Sequence, residues 1–417
     1  MGHARARKVS AQLVEDEGYR LRYERVAGID VAKAKAGVRS RLPPAREGGR
    51  RVWRVEEVPA TVREVLALAG RLLADGAGLV VMEATPDYWR IWYYLLEGAG
   101  LRVQLVNSRH ARQLAGRPKA DQKDAQWIAR LAEMGLLRPS LVPPPEIRAL
   151  RDLTRTRLML VRDRARERQR LEKLLEGALV KLSSVVHSMS GTKTARDILE
   201  AIVIRVHLDH VTLLDRSVAA IEDETEAALD AIEGAWGISA GGVPSPAPGP
   251  DAAALAAVER LAEIPGVSPD LARAVIAEVG LDMTRFPTPG HLAAWAGLAP
   301  VARQSGPRAR KPARGRGDAY LKGYCTQAAL GASRTETFLG ERFRRLARRI
   351  GGIRAQCAVG RSILVIVWHL LSDPGARFRD LGPGWHERKT DRDRKIRSHL
   401  RQLQALGLDV TLTEATA

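Results

Sequence analysis

Several features that support common protein classes are scarce in this chain of 417 residues. Its two cysteines, Cys325 and Cys357, form no C-x-x-C pair, which excludes a disulfide scaffold and fits a reducing compartment. His207 and His210 have no further ligand nearby in the sequence, so we expect no structural zinc site. No run approaches about 18 uncharged apolar residues, and no apolar run follows the basic start. We therefore expect no membrane partner, no signal peptide and a cytoplasmic protein.

Acidic residues are also in short supply. The chain has 48 Asp and Glu against 67 Lys and Arg, a formal net charge of +19, and 55 of the basic residues are arginines. Arginine binds phosphate in bidentate fashion and stacks on bases. An Arg-rich genome would explain the choice of Arg over Lys, but not the net charge. The composition therefore predicts a polyanionic partner, most simply nucleic acid.

The first part of the chain has the pattern of an α/β domain. Apolar runs predict five strands, at Arg25–Ala32, Gly37–Leu42, Arg51–Val58, Gly78–Met82 and Leu101–Val106. Helical spacing predicts helices at Thr61–Ala74, Tyr88–Leu96, Ser108–Leu114 and Asp121–Met134. Three early strands followed by alternating strands and helices match an RNase H-like mixed sheet, although this order alone leaves other α/β folds open.

The rest of the chain is predicted to be helical. The expected fold class is α/β plus all-α, in which a long helical coiled-coil spacer separates the mixed-sheet domain from a helical C-terminal domain. The first helix of the spacer is rich in arginine between Arg148 and Arg170, and we expect it to contribute a large phosphate footprint. The predicted segments are a polar extension (1–24), the sheet domain (25–145), the coiled-coil region (146–236), a Gly/Pro linker (237–251), the C-terminal domain (252–375) and a basic tail (376–417).

Four acidic residues stand where a metal site would need them. Asp30 lies inside the first strand, Glu83 ends a fully apolar strand, and Asp121 and Asp124 share one face of a helix. A carboxylate in a buried strand is costly unless it is paired or bound to metal. The four acids therefore predict a site for Mg²⁺ or Mn²⁺. Taken singly, Asp30 is also compatible with a turn at a strand end and Asp121 with a helix cap.

Short motifs carry a resemblance to a known family. GIDVAK, MEAT and KADQKDA resemble three blocks of the DEDD-type, RuvC-like domain of the insertion-sequence family one-ten transposases, which the related Piv-type DNA invertases share. LAEIPGVSPDLARAVIAEVG and FPTPGHLAAWAGLAPVARQSG resemble the second catalytic domain of that family. The resemblance covers roughly residues 25–375 and departs in the N-terminal extension, the Gly/Pro linker and the tail.

The resemblance implies a recombinase with an unusual mechanism. Asp30, Glu83, Asp121 and Asp124 would bind metal, and Ser305 would attack a DNA phosphate to form a transient phosphoserine. The partners would be donor and target DNA and a structured bridge RNA. The protein would act as a homodimer that pairs into a tetramer, and a nucleoid association is expected. The alternatives are a site-specific invertase or RuvC-like nuclease, and a non-catalytic nucleic-acid-binding protein.

The surroundings of Ser305 are strongly basic. A serine hydroxyl becomes a useful nucleophile only when its proton is removed and the developing charge is stabilised. The basic residues expected to bind nucleic acid there are Arg303, Arg308, Arg310, Lys311, Arg314 and Arg316. From the residues alone, Ser-Gly is also a common turn pair. Two further segments point to nucleic acid: Ile264–Val267, which resembles a helix-hairpin-helix turn but is compatible with a plain turn between helices, and Arg342–Arg349.

Overall fold

The structure is a computed structural model that divides into two compact units, Met1–Val142 and Pro143–Ala417. It describes residues 12–13, 21–44, 46, 51–84, 87–107, 124–177, 202–232, 256–305, 308–314, 317–385 and 392–410. Each unit is described by itself. The predicted Gly/Pro linker, the predicted helix at Ser108–Leu114 and most of the polar extension lie outside the described residues.

The first unit contains one six-stranded sheet. Its strands are β1 (Gln12–Leu13), β2 (Val26–Val31), β3 (Lys35–Leu42), β4 (Val52–Pro59), β5 (Leu79–Glu83) and β6 (Val103–Val106), in the spatial order β1-β4-β3-β2-β5-β6. β2, β3 and β4 form an antiparallel meander, while β5 pairs in parallel with β2 and β6. This mixed order confirms the predicted RNase H-like sheet.

Helices cover both faces of this sheet. On one face, α1 (Val62–Ala74) and α2 (Trp89–Gly98) pack their apolar sides against Ile29, Val38 and Met82. On the other face lies α3 (Asp124–Glu133), whose Ile128, Ala129 and Ala132 pack against β2 and β5. Every residue of β5 is buried, because a strand covered on both faces needs a continuous apolar run.

The second unit begins with two long antiparallel helices, α4 (Pro145–Gly177) and α5 (Ile202–Asp230). Their direction follows from side-chain pairs that run in opposite order along the chain: Arg157 with Glu222, then Arg164 with Asp215, then Glu167 with His207. The apolar seam of the pair buries Leu171, Leu175, Val211, Leu214 and Val218. A single helix could not bury such a seam alone.

The remainder of this unit is helical, as predicted, with one addition. The helices are α6 (Ala257–Ala262), α7 (Pro269–Val279), α8 (Pro289–Trp295), α9 (Ala319–Ala332), α10 (Phe338–Ile350), α11 (Gly352–Ser372) and α12 (Arg392–Ala405), with a 3-10 turn at Met283–Arg285. A two-stranded hairpin, β7 (Pro300–Ser305) and β8 (Arg308–Arg314), interrupts the helical pattern.

Among the described residues, α11 is the one helix long and apolar enough to cross a membrane, judged by length and composition alone. It is also a core helix of the second unit. Its Val359, Ile363, Leu364 and Val367 are buried, and it packs against α8, α9 and α10. Two arginines, Arg354 and Arg361, lie on its exposed side.

Candidate active site

The face of the sheet that packs against α3 carries two of the predicted acids. Side chains alternate along a strand, so Ala27, Ile29 and Val31 of β2 pack towards α1 and α2, while Val26, Gly28 and Asp30 face α3. The same alternation in β5 directs Val80 and Met82 one way and Leu79, Val81 and Glu83 the other. Asp30 and Glu83 therefore share one face.

The register of β2 and β5 makes these two acids neighbours. The strands are parallel and Ile29 pairs with Met82, so Asp30 and Glu83 come next, side by side at the carboxyl ends of adjacent strands about 4.8 Å apart. Glu83 is 7% exposed and Asp30 is half-buried. Two partly or fully buried carboxylates at the ends of adjacent strands form an oxygen-rich site that suits a divalent cation.

Gly28 brings the start of α3 to the same place. A Cβ added at Gly28 would lie 2.1 Å from the carbonyl oxygen of Ala125 and 2.9 Å from the amide nitrogen of Ala129. Only glycine permits this approach of helix to strand. Asp124 is the first residue of α3, next to Ala125 and on the face of the sheet that bears Asp30. The side chain of Asp124, and the whole of Asp121, lie outside the described residues.

The far end of α3 is held by a buried ion cluster. Glu133 lies 2.9 Å from Nε of Arg41 on β3 and 3.3 Å from Nη1 of Arg51, and all three side chains are at most 4% exposed. The carbonyl oxygen of Glu133 accepts hydrogen bonds from the backbone amides of Arg22 and Tyr23. The cluster fixes where α3 lies on the sheet, and therefore where Asp124 lies. Sequence reasoning missed it, because nothing in the spacing links residues 41, 51 and 133.

Sequence reasoning also missed a cation beside the acids. Arg39 of β3 pairs with Gly28 of β2, so its side chain is on the face that carries Asp30. Burial lowers the pKa of Arg39, while the charges of Asp30 and Glu57 act in the opposite direction. A guanidinium at this position is suited to a phosphate brought to the carboxylates. The strand alternation of an arginine with apolar residues could have revealed it.

The donor set fits a hard divalent cation in its chemistry. Asp30 and Glu83 offer only carboxylate oxygens, the ligands that Mg²⁺ and Mn²⁺ prefer. Among the side chains that the structure describes, no group of three His, Cys, Asp or Glu is placed to hold a metal ion. The carboxylates of Asp121 and Asp124 are not among those side chains. The described part of the predicted site is thus a pair of strand carboxylates beneath the first turn of α3.

Ser305 lies at the end of the hairpin in the second unit. It is the last residue of β7, and its backbone pairs with Arg308, the first residue of β8. Arg303 pairs with Arg310 after an irregularity between Val301 and Arg303, and Lys311 and Arg314 lie further along β8. Residues 306–307 and Arg316, and all side chains of 301–316, lie outside the described ones. The backbone therefore places Ser305 beside the connection between two basic strands.

The turn between α6 and α7 packs tightly against α9. Gly266 has φ +87°, and a Cβ on it would lie 2.2 Å from the carbonyl oxygen of Ala328 on α9. The amide of Val267 donates to the carbonyl of Ile264, and Ser268 caps α7 by accepting from the amide of Leu271. These donors are used within the turn, so of the two alternatives above we favour a plain turn between helices.

The Arg-rich helix α4 is largely neutralised within its own unit. Arg155 bonds Glu278 at 2.8 and 2.9 Å, and Arg151 lies 3.2 Å from the same carboxylate, which is fully buried. The other arginines of α4 that pair with carboxylates are Arg157, Arg164, Arg166, Arg168 and Arg170. Much of the charge that predicted a phosphate footprint on this helix therefore has partners inside the protein.

Two family models match the chain. A model for the DEDD domain of IS110 elements, described as a transposase, matches residues 27–180. A second model, described as a transposase of the IS116/IS110/IS902 family, matches residues 258–344. The two matches together cover more than half of the chain. No curated protein matches it significantly.

Solved structures that match the chain include two of RuvC. The Thermus thermophilus RuvC structure is 18% identical with a TM-score of 0.22, and the match covers 28% of this chain and 99% of that one. T. thermophilus RuvC in complex with a Holliday junction substrate is 17% identical with a TM-score of 0.21, with the same two coverages, 28% and 99%. TM-scores this low carry no weight of their own, so the fold assignment rests on the strand order and register.

Proposed function

The chain belongs to the IS110 family of transposases, enzymes that cut and join DNA, and we propose that it excises and inserts an insertion sequence. The observation that carries the proposal is the meeting of Asp30, Glu83 and the first turn of α3 on one face of the sheet. Two carboxylates side by side at the ends of adjacent strands repel each other, and a bound divalent cation relieves that repulsion.

In this proposal Asp30, Glu83, Asp121 and Asp124 hold Mg²⁺ or Mn²⁺. The bound metal supplies Lewis-acid polarisation of a phosphoryl oxygen. The chain's own residues fix the geometry: β2 and β5 hold Asp30 and Glu83 side by side, and Gly28 lets α3 approach them. Arg39 places a cation on the same face, where it binds a phosphate oxygen of the DNA.

Ser305 is the proposed nucleophile. Its Oγ forms a bond to a DNA phosphorus while the bond from that phosphorus to one strand's oxygen breaks, and the hydroxyl proton ends on the departing oxygen. Attack by a strand hydroxyl on the phosphoserine then restores a phosphodiester and the free serine. The basic residues of the hairpin region, Arg303, Arg308, Arg310, Lys311, Arg314 and Arg316, bind the phosphates on either side.

We further propose that a structured guide RNA selects the DNA and that the active form is a homodimer which pairs into a tetramer. The net charge of +19 supports binding of a large polyanion. Protein purified at low salt should carry RNA, and structured RNA should outcompete duplex DNA of equal length. Weaker competition by structured RNA than by duplex DNA would contradict the proposed guide RNA. A single copy of the protein in the assembled nucleic-acid complex would contradict the proposed dimer and tetramer.

The carboxylate site is tested by strand cleavage with and without metal. Asp30→Asn, Glu83→Gln and Asp124→Asn should each abolish Mg²⁺-dependent cleavage but leave nucleic-acid binding intact. Glu64→Gln is the matched control, because Glu64 lies in the first turn of α1, on the opposite face of the sheet from Asp30 and Glu83. Undiminished cleavage in EDTA would exclude a metal-dependent reaction.

The serine is tested on a denaturing gel with labelled DNA. Wild-type protein should leave a covalent protein–DNA adduct, and Ser305→Ala should form none while it keeps its fold and RNA binding. Ser217→Ala serves as the control, because Ser217 is a half-buried serine of α5 whose hydroxyl donates to the carbonyl of Leu213 in its own helix. An adduct that persists in Ser305→Ala would show that another residue attacks. Rescue on mixing Ser305→Ala with Asp30→Asn would indicate that subunits share active sites.

A further inference from the structure

Helices α10 and α11 carry several arginines that pair with no carboxylate among the described residues. α11 contains no Asp or Glu, and α10 contains only Glu341. Within the part of the chain that the structure describes, no ion pair joins Arg342, Arg349, Arg354 or Arg361 to a carboxylate. This contrasts with Arg344 on the opposite flank of α10, which lies 3.1 Å from Glu336.

Helical spacing arranges these arginines in two rows. Arg342, Arg345 and Arg349 follow an i, i+3, i+7 pattern along one flank of α10, and Arg342 borders the buried Leu339 and Leu346. Arg354 and Arg361 are seven residues apart on α11, on the side opposite the buried Ile363. Each row is about 10 Å long at 1.5 Å per residue.

The two rows approach each other at Arg342. Burial lowers the pKa of the Arg342 guanidinium, and the charges of Arg345 and Arg361 lower it further. Nε of Arg342 is buried and has no hydrogen-bond partner. A half-buried cation that faces two others gains most from an anion with several acceptor oxygens, and loses the mutual repulsion when the anion binds.

We propose that this α10–α11 arginine face, made of Arg342, Arg345, Arg349, Arg354 and Arg361, binds the phosphodiester backbone of a nucleic acid. A row of about 10 Å spans about three phosphates of one strand at 3.4 Å per nucleotide along a duplex axis. Such contacts position a strand and carry no sequence information. The inference rests on the proposed action on nucleic acid, but it involves neither Ser305 nor the carboxylates.

Salt dependence of binding tests the face. Arg342→Gln with Arg361→Gln should weaken binding at least tenfold at low salt, and should reduce the slope of log affinity against log salt by about 2. The matched control is Arg166→Gln with Arg170→Gln, which removes the same charge from exposed sites on α4 that are 63% and 64% exposed. The control should keep the wild-type slope, and circular dichroism should show both variants folded.

The native cysteines provide a second, independent readout. Cys357 is half-buried and lies within one turn of Arg354 and Arg361, while Cys325 is fully buried and burial raises the pKa of its thiol to about 12. Alkylation should therefore report Cys357 alone, and nucleic acid should slow it. Parallel reactions with an unrelated 30-base-pair DNA duplex and an RNA hairpin show which backbone occupies the face.

Each outcome separates the inference from the proposed function. Two results would contradict nucleic-acid binding at the α10–α11 arginine face but leave the transposase proposal standing. One is a wild-type salt slope in the Arg342→Gln, Arg361→Gln variant, and the other is unslowed alkylation of Cys357 in a saturated complex. Wild-type protein that binds neither nucleic acid would overturn both. Loss of binding in the arginine variant with normal binding by Asp30→Asn would support the face and show that it works apart from the carboxylates.

Discussion

The helix α4 and the pair of helices α10 and α11 are both rich in arginine, but their arginines have different surroundings. In α4, the carboxylates of Glu278, Glu222 and Asp215 face the arginines from other helices of the unit. Within α10 and α11 the one carboxylate is that of Glu341, and Arg342 is repelled by Arg345 and Arg361. The difference shows that the carboxylates near an arginine, on its own helix or on a helix packed against it, decide whether it serves folding or remains open to phosphate.

In the first unit, all three members of the ion cluster of Glu133, Arg41 and Arg51 are buried, and breaking this cluster should have the largest effect. Glu133→Gln removes the carboxylate that pairs with both Arg41 and Arg51, whose side chains are 3% and 4% exposed. We expect the free energy of unfolding to fall by about 3–5 kcal/mol, measured by urea denaturation. Glu57→Gln, at the surface, should cost at most about 1 kcal/mol. If Glu133→Gln lowered the free energy of unfolding by less than about 1 kcal/mol, the two arginines would have to regain contact with water in the variant.

A smaller effect is expected where α4 meets α7. Burial raises the pKa of Glu278, and the hydrogen bond from Arg155 opposes that rise. Arg155→Gln should therefore cost about 3 kcal/mol at pH 7, because it leaves the buried carboxylate with less compensation. A raised folded pKa penalises the ionised form, so the cost should shrink as the pH falls and Glu278 takes up a proton. A cost independent of pH would show that Arg155 acts by packing alone.

The position of the pair along α4 supplies the control for that prediction. Arg166 forms an i, i+3 pair with Asp163 and is 63% exposed. Arg166→Gln should change the free energy of unfolding by at most about 0.5 kcal/mol at either pH. Equal costs for Arg155→Gln and Arg166→Gln would erase the distinction between buried and exposed pairs on this helix.

Glu167 lies on α4 and pairs with His207 of α5, and its contribution to stability should depend on pH in the opposite way to that of Glu278. A hydrogen bond with His207 is the main reason that the pKa of Glu167 is lowered from 4.5 to about 2. A lowered folded pKa contributes stability above pH 4.5 that is lost as the pH falls towards 2. Glu167→Gln should lower the free energy of unfolding by about 1.5 kcal/mol at pH 7, and this difference from wild type should narrow as the pH falls from about 5 towards 2. A constant gap would contradict this assignment.

The smallest effect on stability should come from the α10–α11 arginine face. Arg342→Gln removes a charge that Arg345 and Arg361 repel, so the free energy of unfolding should stay within about 0.5 kcal/mol or rise slightly. Thermal unfolding of the single variant measures this directly. A loss of more than about 1 kcal/mol would show that Arg342 is a folding residue like those of α4, and the contrast between the two regions would fail.

Local pattern was sufficient for the elements and for part of the candidate site. The apolar runs predicted β2, β5 and β6, because alternation and burial are written in successive residues. Asp30 and Glu83 stood out since each is an acid in a run otherwise destined for burial. The hairpin of β7 and β8 was not predicted, because β8 is rich in arginine and neither strand has the apolar alternation that marks a strand.

By itself, the sequence determined the candidates for chemistry: four acids, a serine among cations, and an excess of arginine. Only the tertiary structure decided which of them meet. The register of β2 with β5 places Asp30 beside Glu83, Gly28 admits α3, and Glu133 finds Arg41 and Arg51 far away in the chain. The physical reason is that electrostatic and packing energies depend on distance in space, which a charge pattern along the chain does not contain.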